Sequence, residues 1–170
     1  MIYVVGCHHD IQSSDPVPFL QGSPAVKEQR DHFRQLVERM LIGNEVGLVA
    51  EEWGRKSESF AEALSKERVV EYVNIHTNIE DLDALGIPRD YSNPIKYTLE
   101  QREGWLQQRE RFMLEMIHSA RGAAKTLVVI CGFYHLGPLA EHLGNGERVI
   151  QVDYREEEWY RGEVFFPDSF

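Results

Sequence analysis

Short apolar runs alternate with longer amphipathic stretches along this chain, and glycine, proline or polar clusters mark the switches. Four short apolar runs, residues 2–5, 46–50, 69–73 and 126–131, each ending at a polar or glycine-rich turn, read as buried strands. A fifth, 148–153, is more amphipathic and suits a sheet edge. Ser23-Pro24 reads as a helix cap and first-turn pair, after which Val26, Phe33, Leu36, Val37, Met40 and Leu41 fall on one face until Gly43. A shorter helix is expected over 58–66. Asn93-Pro94 is expected to open a long one that runs to about Arg121, with Gly104 marking a kink or a later start. A last short helix, about 138–143, stops at Gly144. The segment 79–93, with Gly86 and Pro88, reads as an irregular flap, and the aromatic, acidic tail 156–170 as packing on the body.

Strands alternating with helices predict an α/β fold, a mostly parallel Rossmann-like sheet of about five strands with helices on both faces. The expected strand order is three-two-one-four-five. At 170 residues, one domain spanning 1–170 is expected. Lys+Arg 18 against Asp+Glu 28 gives a net charge of -10, a field that repels phosphate backbones and disfavours a nucleic-acid partner. No apolar run approaches ~20 residues, so no membrane span is expected. The first residues lack the pattern of a signal peptide. Two cysteines, Cys7 and Cys131, are too few for a disulfide framework and read as free thiols packed at strand ends in a reducing cytoplasm.

Ligands of open parallel sheets sit beyond the carboxyl ends of the strands. Here the first strand runs into Gly6-Cys7-His8-His9, the second into Glu51-Glu52-Trp53-Gly54, the third toward His76, and the fourth into Gly132-Phe133-Tyr134-His135. Glycine followed three residues later by histidine occurs twice, as Gly6…His9 and Gly132…His135. A glycine at a strand end permits a tight turn or close backbone approach that aims the histidine over the sheet edge. Two imidazoles and one carboxylate can hold zinc, manganese, cobalt or iron and leave positions open for water. The set expected is His9, His135 and either Glu51 or Glu52. Spacing favours His9 over His8. Arg109 falls inside the apolar stripe Trp105, Phe112, Met113, Met116 of the long helix, and a buried guanidinium requires an anion, for which the strand-end carboxylates are the candidates. Glu110 borders the stripe.

These elements resemble the Tiki/TraB/EreA/ChaN-like superfamily. Gly6-Cys7-His8-His9 is similar to its first motif, Leu48-Val49-Ala50-Glu51 to its strand-end glutamate, Arg109-Glu110-Arg111-Phe112-Met113 to its helical arginine motif, and Val129-Ile130-Cys131-Gly132-Phe133-Tyr134-His135-Leu136 to its closing motif. The match spans roughly residues 1–143, without large insertions. The resemblance implies an EreA/ChaN-like fold and a metal-dependent hydrolase acting on amide or ester bonds of a small-molecule or peptide substrate. His9, Glu51 and His135 would hold the ion. Arg109 would orient the glutamate or hold an oxyanion, and Glu52 or His76 would shuttle protons. The alternative is a non-catalytic protein using the same pocket for a small ligand such as a haem, nucleotide or signalling molecule.

Overall fold

The computed structural model describes residues 1–13 and 24–156. In chain order the elements are β1 (Ile2–Cys7), the single turn α1 (His9–Gln12), α2 (Pro24–Gly43), β2 (Leu48–Glu51), α3 (Phe60–Arg68), β3 (Glu71–Asn74), α4 (Ile79–Leu85), α5 (Leu99–Arg121), β4 (Leu127–Gly132), α6 (Phe133–Leu143), β5 (Val149–Asp153) and a 3-10 turn at Tyr154–Glu156. All five strands run parallel, in the order β3-β2-β4-β1-β5.

That order corrects the expected three-two-one-four-five, because β4 inserts between β2 and β1. The reason lies in how completely it is covered. Leu127 to Cys131 are buried without exception, so this strand gains most from neighbours on both edges and cover on both faces. The partly exposed β3 and β5 take the edges. Side-chain alternation then sorts two cores. Val4, Ala50, Val129 and Cys131 face Met113, Ile117 and Leu139 of α5 and α6. Val5, Val49, Val128 and Ile130 face Phe33, Val37 and Leu64 of α2 and α3. The helices therefore cover both faces, as expected.

Three local features differ from the sequence reading. The long helix starts at Leu99 rather than at Asn93-Pro94, because Thr98 and Gln101 form a reciprocal capping box. Asn93 instead closes a turn, its side-chain oxygen accepting from the Ile95 amide at 2.9 Å. Residues 79–85, expected to be irregular, are helical because Asn78 and Asp81 form a second capping box. The last helix begins five residues earlier than the expected 138, directly after β4, with Pro138 in its interior. The Ser23 cap and the tail 157–170 lie outside the described residues. Among the described residues no helix is long and apolar enough to cross a membrane.

Candidate functional site

Because β2, β4 and β1 are side by side, their carboxyl ends deliver three turns to one place. At its centre is Glu52, only 2 % exposed. Its amide continues the ladder to the Ile130 carbonyl at 2.8 Å, and its side chain turns to the face covered by α5 and α6. Oε1 accepts from the Arg109 guanidinium of α5 at 2.8 Å, and Oε2 accepts from the Gly132 amide at 2.9 Å. His135 Nε2 lies 3.6 Å from Oε1, and His9 Nε2 lies 3.9 Å from Oε2. Burial works against the charged form of Glu52. His135, His9, Arg109 and the Gly132 amide together outweigh it and hold the carboxyl at about 2.

The two histidines are built alike. Each turns Nε2 toward Glu52 and leans Nδ1 on a side-chain oxygen at 3.1 Å: Gln12 Oε1 behind His9, Glu110 Oε1 behind His135. His135 sits in the first turn of α6 and is buried, whereas the His9 side chain is 42 % exposed and forms the open side of the cluster. Neither motif glycine has a positive φ. Their role is close approach. A Cβ at Gly6 would come within 2.9 Å of Leu136, and one at Gly132 within 3.3 Å of His9 Nε2 and 3.5 Å of Glu52 Oε2.

Arg109 is buried in the α5 stripe, as its position in the sequence implied, and its carboxylate partner is Glu52. A second guanidinium nitrogen donates to the Tyr91 hydroxyl, and the charge lies 5.4 Å from the Tyr91 ring centre. Asn74, at the end of β3, ties the next two turns together. It accepts from the Trp53 and His76 amides at 3.2 and 3.0 Å and donates to the Trp53 carbonyl at 2.7 Å. The His76 ring lies against Gly54, where a Cβ would come within 2.7 Å of it. Burial lowers the His76 pKa; Glu52 opposes that shift, and Arg109 and His9 add to it.

Glu51 is elsewhere. As the neighbour of Glu52 on an extended strand it emerges on the other face, where Oε2 accepts from the Ser59 hydroxyl and from Tyr72 Oη, the latter at 2.9 Å. Its other oxygen is buried without a hydrogen-bond partner among the described residues. Burial pushes the Glu51 carboxyl up to about 7 against those two hydrogen bonds.

The structure thus brings His9, His135, Glu52 and Arg109 together, sets His76 beside them, and leaves Glu51 out. The metal set expected of His9, Glu51 and His135 is not assembled. A divalent ion requires several donors with free lone pairs around one point. Among the described residues no group of three or more His, Cys, Asp or Glu side chains could hold one. Each Glu52 oxygen accepts one hydrogen bond, from the guanidinium and from the Gly132 amide.

The sequence reading missed Gln12, Tyr91 and Asn74 and underweighted Glu110. For Glu110 a signal existed, since it adjoins the stripe one residue after Arg109. Both cysteines are buried as expected, and Cys7 Sγ also accepts from the Gln12 amide at 3.0 Å. Compared with protein-family models, curated proteins and solved structures, the chain has no match.

Proposed function

We propose that this chain is a small hydrolase of ester or amide bonds in which His9 and His135 carry protons on either side of the Glu52–Arg109 pair. The observation that supports this most is the convergence of two Nε2 atoms, 3.6 and 3.9 Å away, on one buried carboxylate at the ligand-binding edge of a parallel sheet. The arrangement also supports membership of the Tiki/TraB/EreA/ChaN-like superfamily, whose motif elements supply three of the four residues. Glu52 takes the place assigned to the glutamate next to it.

In this reading His9, on the open side, takes a proton from a water as its oxygen bonds to the substrate's carbonyl carbon. His135 gives a proton to the departing alkoxide or amine as the carbon–heteroatom bond breaks. The Glu52–Arg109 pair fixes both rings, and Glu110 holds the second through Nδ1. The substrate is a small molecule or peptide, encountered in a cytoplasm that keeps the two thiols reduced.

The test is a panel of acyl esters and peptides, assayed with and without added zinc, manganese, cobalt or iron(II). The reading expects turnover without added metal and a loss of ~100-fold or more in His9→Ala and His135→Ala. Turnover that appears only with one ion would restore the metal-dependent form. A panel without turnover, with a small molecule retained by the purified protein, would favour the binding alternative.

A further inference from the structure

We propose that Gln12 is a positioning residue that holds His9 in the tautomer with the proton on Nδ1, leaving Nε2, on the Glu52 side of the ring, free to take a proton. This rests on the reading of His9 as the base.

The one-turn helix His9–Gln12 places residues three apart on the same side. Gln12 is fully buried, so its amide must find partners at both ends. The nitrogen donates to Cys7 Sγ at 3.0 Å, and the oxygen meets His9 Nδ1 at 3.1 Å. An amide oxygen only accepts, so Nδ1 must be the donor. A neutral imidazole has one donor and one acceptor nitrogen, and Nε2 is therefore the acceptor. An unassisted imidazole in water prefers its proton on Nε2, so the buried amide selects the less favoured form.

The contrast with His135 gives the selection a purpose. Glu110, a carboxylate, stands behind His135, while a neutral amide stands behind His9. The amide fixes the ring and its tautomer without bringing a second negative charge close to Glu52. Cys7 takes part through its sulfur, which accepts from the amide nitrogen.

The experiment is a long-range 1H–15N correlation of the His9 ring in the 15N-labelled full chain at alkaline pH, with the signal assigned by its loss in His9→Gln. Wild type and Gln12→Glu, which keeps an acceptor, are expected to show an unprotonated Nε2. Gln12→Leu, similar in size but without an acceptor, is expected to move the proton to Nε2 and lower kcat ~10-fold with KM unchanged. A wild-type ring protonated on Nε2, or a Gln12→Leu ring still protonated on Nδ1, overturns the proposal. Should Gln12→Leu fail to fold, the wild-type and Gln12→Glu spectra still decide. The tautomer is read without substrate, so an inactive panel overturns the hydrolase reading and leaves this result standing.

Discussion

Glu51 and Glu52 are consecutive in the chain, both almost fully buried, and their carboxyls lie on opposite faces of one sheet. Glu52 meets a guanidinium, a backbone amide and two imidazoles. Glu51 meets two hydroxyls. One carboxyl is accordingly held at about 2 and the other at about 7. A strand's two-residue period therefore decides which glutamate belongs to the site.

This contrast predicts opposite pH limbs in stability. Glu52, depressed in the fold from its usual 4.5, contributes stability that is complete above pH 4.5 and lost as pH falls toward 2. Glu51, raised from 4.5 to about 7, costs nothing below pH 4.5 and destabilises increasingly as pH rises to 7. Each limb is on the order of 3 kcal/mol. In urea unfolding from pH 3 to 8, Glu51→Gln should remove the decline between pH 4.5 and 7 and leave the acid limb in place. An unchanged upper limb would show that Glu51 is charged in the fold at no cost.

Arg109→Leu keeps the α5 face apolar but strips Glu52 of its guanidinium. Removing one member of a buried pair should lower stability at pH 7 by about 3 kcal/mol. It should also move the acid limb to higher pH, since one of the positive neighbours that oppose burial is gone. Denaturant midpoints at pH 7 and pH 3.5 check both. A loss below ~1 kcal/mol would mean the pair carries little coupling.

Gly132→Ala separates packing from chemistry. With φ at -62 the backbone accepts alanine, yet the new methyl would press on His9 Nε2 and Glu52 Oε2. The partly exposed His9 can swing away. Stability should change by ~1 kcal/mol or less, while turnover should fall ~10-fold or more. Equal activity in this variant would show that the His9–Glu52 approach is not needed.

Val69 offers a control remote from the site. It caps the C-terminus of α3 at φ 56, ψ 39, a left-handed conformation costly for a β-branched residue, and its side chain is 94 % exposed. Val69→Gly should therefore raise stability by about 1 kcal/mol, readable as a higher Tm with activity unaltered. A lower Tm would mean the gain in unfolded-chain entropy outweighs the relief.

What was legible in the sequence followed from local rules. Short apolar runs located four strands and an amphipathic run the fifth, and the turns after β1, β2 and β4 located the site edge. Arg109 betrayed itself as a charge in an apolar stripe. Strand order was not legible, because nothing local to residues 126–131 distinguishes a centre strand from its neighbour; the deciding quantity is burial on both faces and both edges at once. The helix at 79–85 was obscured by nearby glycine and proline, although Asn78 and Asp81 had the spacing of a cap. The choice between Glu51 and Glu52 depended on the register of β2 relative to the two cores, which Ala50 on one side and Val49 on the other settle only once the helices are placed. Tyr91 carries no motif and joins the site through space alone, and Gln12 joins it only because residues 9–12 form a helical turn that no local pattern announced.

The most direct test of the central claim compares Glu52→Gln with Glu51→Gln on the best substrate of the ester and amide panel at pH 7. Glu52→Gln should lose ~100-fold or more in kcat/KM, because both imidazoles lose the charge they face, while Glu51→Gln should stay within about 3-fold of wild type. A large loss in Glu51→Gln with Glu52→Gln nearly intact would contradict the assignment of the site to the α5–α6 face.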